Sequence, residues 1–260
     1  SIFSKARYVA GPAAVRAAAL MSAWEDPDVA GIFVVRGGYG SAQLLPLLDV
    51  DRLRSVPKVL VGCSDLTALL SCLTAGGDTV GFHGPMLVNL ASGEDGYDRS
   101  SLLGAITRPE PLGELVPRGV DVVCEGEASG PLLGGTLTQL LASLGTSFAF
   151  TPPDGYVLLL DDVGERPYRV DRMMTQLTQS RLLSRASAII CTEFLGCCDE
   201  DGFDARSVIG SIVQDFSGPV LFGFPTGHAA GPVWTLPLGV EVTVSTRPVP
   251  RVIIEEAAVA

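Results

Sequence analysis

Short uninterrupted apolar runs, each broken by a glycine-bearing turn and then a helix-length stretch, constrain this chain more than any other feature. Residues 29–35 run into Arg36-Gly37-Gly38-Tyr39-Gly40, after which residues 41–48 read as helical. Residues 58–61 run into Gly62-Cys63-Ser64-Asp65, and residues 66–74 read as the next helix. Neither run alternates polar and apolar positions, so both of its faces need cover. That is the condition of a strand in a parallel sheet flanked by helices.

The same alternation organises the rest. An alanine-rich helix is expected at residues 13–24, stopped by Asp26-Pro27-Asp28. Helices are expected at residues 136–144, 170–179 and near 205–216, with strands at 156–160 and 188–191. Residues 220–254 read as strands and turns, and there is no internal repeat. Between residues 108 and 130, prolines, glycines and acids punctuate short strand-like pieces such as 120–123, which marks a passage between domains. The expected fold is α/β, an N-terminal parallel sheet with flanking helices plus a smaller mixed or β-rich C-terminal domain. Its expected divisions are 1–107, 108–130 and 131–260.

Composition narrows the function. A chain of 260 residues with 47% hydrophobic content can bury a sizeable core. With 18 basic against 29 acidic residues the net charge is -11, which argues against a nucleic-acid partner and against an anionic membrane surface. Mean hydropathy is high at +0.36. No apolar run reaches the roughly 18 to 20 residues needed to span a bilayer, so the apolar content belongs to buried strands. The six cysteines include no C-x-x-C pair, and there are only two histidines, which argues against a zinc cluster. Reduced thiols and a cytoplasmic setting are expected, and residues 1–7 are not followed by the apolar segment of a signal peptide.

Four features could carry chemistry. Ser64 lies where a buried strand turns into a helix, a position that exposes a hydroxyl near backbone amides; the alternative is that Ser64 only caps the helix. The glycines of Arg36-Gly37-Gly38-Tyr39-Gly40 allow a ligand or a developing oxyanion to approach the backbone, or simply make a tight turn. G-G-x-G is not the dinucleotide fingerprint. The two histidines, His83 and His228, are the candidates for a base of near-neutral pKa, and composition does not choose between them. Asp161-Asp162 with Glu165 follow a strand, where a carboxylate can orient an imidazole or stand as a solvated loop charge.

Taken in order, these segments resemble the LD-carboxypeptidase family of serine peptidases, which includes muramoyltetrapeptide carboxypeptidases and microcin-immunity peptidases. The resemblance is carried by Arg36-Gly37-Gly38-Tyr39-Gly40, Gly62-x-Ser64-Asp65, His83-Gly84-Pro85-Met86 and Gly134-Gly135. It continues through Asp162-Val163-Gly164-Glu165, Pro167-Tyr168-Arg169, Asp171-Arg172-Met173, Gly227-His228 and Leu236-Pro237-Leu238-Gly239, and so covers nearly the whole chain. It implies Ser64 as nucleophile, His228 as base, Asp161 as the acid that orients it, and the backbone amides of Gly38 and Asp65 as the oxyanion hole. Arg36 and Tyr39, beside the expected oxyanion loop, are candidate substrate contacts, with Arg36 read equally as a structural anchor. Two positions depart from the family. Asp161 stands where a glutamate is usual, which makes Glu165 the alternative acid, and Thr136 stands where asparagine is usual. The family also opens with a further strand and helix before the stretch matching Tyr8-Val9-Ala10-Gly11.

The implied activity is hydrolysis of an L,D amide bond in a murein tetrapeptide with release of the C-terminal D-amino acid, without metal or cofactor. The alternatives are a microcin-immunity type peptidase acting on a peptidyl or acyl nucleotide, and a non-catalytic peptide-binding homologue. The expected partner is a small murein peptide, with no nucleic acid or membrane, and a homodimer is left open.

Overall fold

A computed structural model describes residues 4–76 and 79–260; residues 1–3 and 77–78, within the expected first division, lie outside it. The first half runs α1 (Ala13–Glu25), β1 (Gly31–Phe33), α2 (Val50–Ser55), β2 (Val59–Gly62), α3 (Thr67–Thr74), β3 (Gly81–His83), α4 (Leu87–Leu90) and α5 (Arg99–Thr107). Then come β4 (Gly113–Leu115), β5 (Asp121–Cys124), β6 (Glu127–Thr136), α6 (Leu137–Ser143), β7 (Tyr156–Asp161), α7 (Pro167–Gln179) and α8 (Leu182–Arg185). The chain closes with β8 (Ala186–Thr192), α9 (Ala205–Val213), β9 (Val220–Phe224), β10 (Leu236–Leu238), β11 (Glu241–Ser245) and β12 (Arg251–Ile254).

Two sheets result. A four-stranded sheet has the order β1-β2-β3-β10, parallel through β3 and closed by antiparallel β10. An eight-stranded sheet has the order β4-β12-β11-β6-β7-β8-β9-β5. Its centre, β6 to β9, is parallel, and its flanks are antiparallel. Every residue of β7 is buried, as a strand covered on both faces must be. The α/β expectation holds, with eight strands in the second sheet against four in the first.

Three stretches depart from the expectation. Residues 41–48 form only a short 3₁₀ turn, Leu45–Leu47, because Pro46 has no N–H to continue a helix. Residues 108–130 are more than a passage, since β4 and β5 form the two edges of the larger sheet. β10 returns from the C-terminal half to pair with β3, setting Leu236 opposite His83.

One apolar cluster joins the two sheets. It holds Leu60, Leu66, Leu69 and Leu70 from the β2–α3 unit together with Leu132, Val157, Leu159 and Val244 of the larger sheet. The ends of β2, β6 and β7 meet at this seam. Thr67, the first residue of α3, accepts from Thr136 N at 3.0 Å, and Thr136 stands opposite Asp161 in the β6–β7 register. Among the described residues no helix is long and apolar enough to cross a membrane.

Candidate active site

Ser64 opens a 3₁₀ turn, Ser64–Leu66, that leads from β2 into α3. Its φ of +61° is in the left-handed region, which a residue with a side chain rarely occupies without a constraint. The sequence offered helix capping as the alternative role. The structure overturns it, because no side chain caps either the 3₁₀ turn or α3. The elbow is strained, makes no cap and leaves Ser64 partly exposed, so its hydroxyl is open to a bound molecule.

The glycine loop lies directly against this elbow. A Cβ on Gly37 would fall 2.7 Å from Ser64 Oγ and 2.8 Å from Ser64 Cβ, so no side chain fits there. Beyond the loop, Ser41 donates from N at 2.8 Å and from Oγ at 2.7 Å to Asp65 Oδ2. Asp65 thus clamps the loop to the elbow through its side chain. Among the described residues neither Gly38 N nor Asp65 N donates a hydrogen bond, which leaves both amides available for an incoming oxygen. Arg36 and Tyr39 are exposed, and the Tyr39 ring packs against Tyr8 at 5.7 Å between centroids.

Across the seam, Asp161 ends β7 with no exposed surface. Its carboxylate takes four donors. His228 Nδ1 lies 2.8 Å and Thr136 Oγ1 3.2 Å from Oδ2. Thr192 Oγ1 lies 2.9 Å and His228 N 3.1 Å from Oδ1. The turn that carries His228 approaches this closely because residue 227 is glycine. A Cβ there would stand 2.7 Å from the carboxyl carbon, and φ is +67°.

Burial acts to raise the Asp161 pKa, but the hydrogen bond and charge of His228 outweigh it and hold the carboxyl below its usual range. Burial likewise acts to lower the His228 pKa, and the hydrogen bond and charge of Asp161, with the charge of Asp162, carry it above the usual value. Since an ionised carboxylate only accepts, a proton of His228 sits on Nδ1, and in the neutral ring Nε2 is the bare nitrogen.

The other candidates fall elsewhere. Glu165, the alternative acid, lies in the loop before α7 and pairs with Arg169 Nη1 at 3.3 Å. Asp162 accepts from Thr138 N at 3.0 Å and Thr138 Oγ1 at 2.7 Å, which fastens the start of α6. His83 is fully buried and bonds Thr226. Neither histidine is hydrogen-bonded to Ser64 Oγ among the described residues, so the expected Ser64–His228 bond is not made in this arrangement. Such catalytic contacts commonly tighten only around a bound substrate. Among the described residues no group of His, Cys, Asp or Glu is placed to hold a metal ion.

The sequence reading missed Thr192, Ser41 and Thr226, and took Thr136 only as a departure. Thr192 carried a usable signal, being the hydroxyl that closes the apolar run of residues 188–191 beside the strand that ends in Asp161.

Fold and site together define a class: two-sheet α/β proteins with a serine elbow and a buried carboxylate–imidazole pair at one seam. Residues 1–84 match the LD-carboxypeptidase N-terminal domain and residues 129–244 the LD-carboxypeptidase C-terminal domain, and the chain belongs to the LD-carboxypeptidase family. It is 32% identical over 235 residues to a murein tetrapeptide carboxypeptidase of Pseudomonas aeruginosa, covering 86% of this chain and 75% of that protein. It is 27% identical over 249 residues to the microcin C7 self-immunity protein of Escherichia coli, covering 84% of this chain and 72% of that one. The crystal structure of a muramoyltetrapeptide carboxypeptidase from Oxalobacter formigenes superposes with a TM-score of 0.83 at 29% identity, covering 98% of this chain and 88% of that one.

Proposed function

We propose that this chain is a serine carboxypeptidase that hydrolyses the L,D amide bond of a murein tetrapeptide and releases the C-terminal D-amino acid. The observation that carries the proposal is the 2.8 Å bond from His228 Nδ1 to fully buried Asp161. It leaves Nε2 with a lone pair to take the Ser64 proton. Ser64 Oγ then attacks the amide carbonyl, and the amides of Gly38 and Asp65 receive the oxyanion. As the C–N bond breaks, Nε2 returns the proton to the leaving amine. Water, deprotonated by the same nitrogen, hydrolyses the ester and frees Ser64. Arg36 has no hydrogen bond or ion pair among the described residues, and its guanidinium suits the terminal carboxylate. The names of the relatives in Pseudomonas and Oxalobacter support the substrate class. The six free thiols suit the reducing cytoplasm, where we place the reaction.

Similarity to the microcin self-immunity protein favours a second reading, cleavage of a peptidyl or acyl nucleotide. A substrate panel separates the two. It contains a murein tetrapeptide ending in a D-residue, its L-terminal diastereomer, and an aminoacyl sulfamoyl adenosine. The proposal expects release of the terminal amino acid from the first alone. Turnover of the nucleotide conjugate with the D-terminal peptide untouched would overturn it in favour of the second reading.

A further inference from the structure

His83 is the one histidine the reaction above does not use. It ends β3 with no exposed surface, standing opposite Gly62 of β2, two residues before Ser64. Its Nδ1 lies 3.1 Å from Thr226 Oγ1, and Thr226 is likewise fully buried, two residues before His228. The side chain therefore spans from the strand pair that presents Ser64 to the turn that presents His228.

The direction of each bond follows from the proton count. Thr226 Oγ1 lies 2.7 Å from Trp234 O and 3.5 Å from His83 O, both of which only accept. The hydroxyl has one proton, given to Trp234 O at the shorter distance. It must then accept from His83, so the His83 proton is on Nδ1. Its Nε2 is buried without a partner, and a second proton there would have no acceptor. Burial lowers the His83 pKa to about 4, with Asp161 acting to raise it and His228 to lower it. The ring stays neutral beside the Asp161–His228 pair. The turn is also tied at its stem, where Trp234 N donates to Pro225 O at 2.8 Å.

We propose that His83 is a positioning residue, a strut that sets the separation of Ser64 and His228 by donating from Nδ1 to Thr226. The inference rests on the functional reading above, since it assigns a role in bringing that serine and that histidine together.

Two kinds of measurement test it. Hydrolysis of the D-terminal tetrapeptide is compared in Thr226→Val, His83→Gln, His83→Asn and the Thr226→Val/His83→Gln double variant. Valine keeps the shape of threonine without the hydroxyl. Asparagine offers an N–H where Nδ1–H stands, whereas the glutamine donor lies one bond further out. Thr226→Val and His83→Gln should each lower kcat on the order of 10²-fold with KM near the wild-type value. The double variant should be no worse than either, and His83→Asn should recover most of the loss. Wild-type kcat in Thr226→Val, additive losses, or asparagine no better than glutamine would each overturn the proposal.

The second measurement does not depend on turnover. With only two histidines in the chain, the imidazole ¹⁵N spectrum contains two rings. One should stay neutral with its proton on Nδ1 between about pH 5 and pH 8, and Thr226→Val should shift both rings. A His83 ring protonated on Nε2, or a His228 ring unmoved in Thr226→Val, would contradict the strut. If the wild type cleaves no peptide, the functional reading fails, and the spectra still decide whether His83 fixes the His228 turn.

Discussion

A carboxylate with no exposed surface keeps its charge only if donors surround it. Asp161 has four, two of them from His228. This network answers the question raised by the shorter side chain. The His228 turn comes to the aspartate, and Thr136 and Thr192 occupy the remaining lone pairs. Asp161→Asn should therefore cut kcat severely, by a factor on the order of 10⁴ if it behaves like the aspartate of the best-studied triad. Glu165→Gln, which removes only a surface pair with Arg169, should leave kcat nearly intact. Steady-state kinetics on both variants check the order of the losses. The pH profile follows from the same pair. The base works only when neutral, and Asp161 holds its pKa up, so activity should rise with pH through a limb above the ordinary histidine value of about 6.5. Any residual activity of Asp161→Asn should rise through a limb at lower pH. A limb that stays in place would mean that the titrating group is not His228.

At the scale of elements, Asp161 ends β7 while Ser64 and His228 stand in the turns after β2 and β9, and those turns are shaped by close backbone approach. Gly37 and Gly227 mark two close approaches, to Ser64 and to Asp161. Gly37→Ala should push the elbow aside and lower kcat on the order of 10²-fold, while a partly exposed loop costs little stability. Gly227→Ala sets a Cβ against a buried carboxylate at a positive φ, and should lower both kcat and the melting temperature. Thermal melts run beside kinetics separate the two effects. The strands that carry these turns were legible because burial on both faces leaves unbroken apolar runs, as in residues 156–160 before Asp161. The turn residues that make the contacts were less so. Ser41 and Thr226 act through partners 24 and 143 positions away, and no local pattern reports such a pairing.

At the scale of the molecule, both sheets contribute to the site, and one apolar cluster continues from one to the other. β10 completes the sheet of the first half from the far end of the chain, while β4 and β5 edge the other sheet. Strands of three residues, one containing Pro237, leave little trace in composition, so β4 and β10 were not legible, whereas the strand-like piece at residues 120–123 and the α/β class were. The shared cluster predicts that the two halves unfold together. Calorimetry should show a single transition whose calorimetric and van't Hoff enthalpies agree, and two resolved transitions would contradict that. The central claim is that Ser64 is the nucleophile. It is tested most directly by Ser64→Ala, whose missing hydroxyl makes no cap that the fold would lose. With D-terminal murein tetrapeptide as substrate, the variant should melt within a few degrees of wild type and release no D-amino acid. Release at the wild-type rate from a folded Ser64→Ala protein would contradict the account.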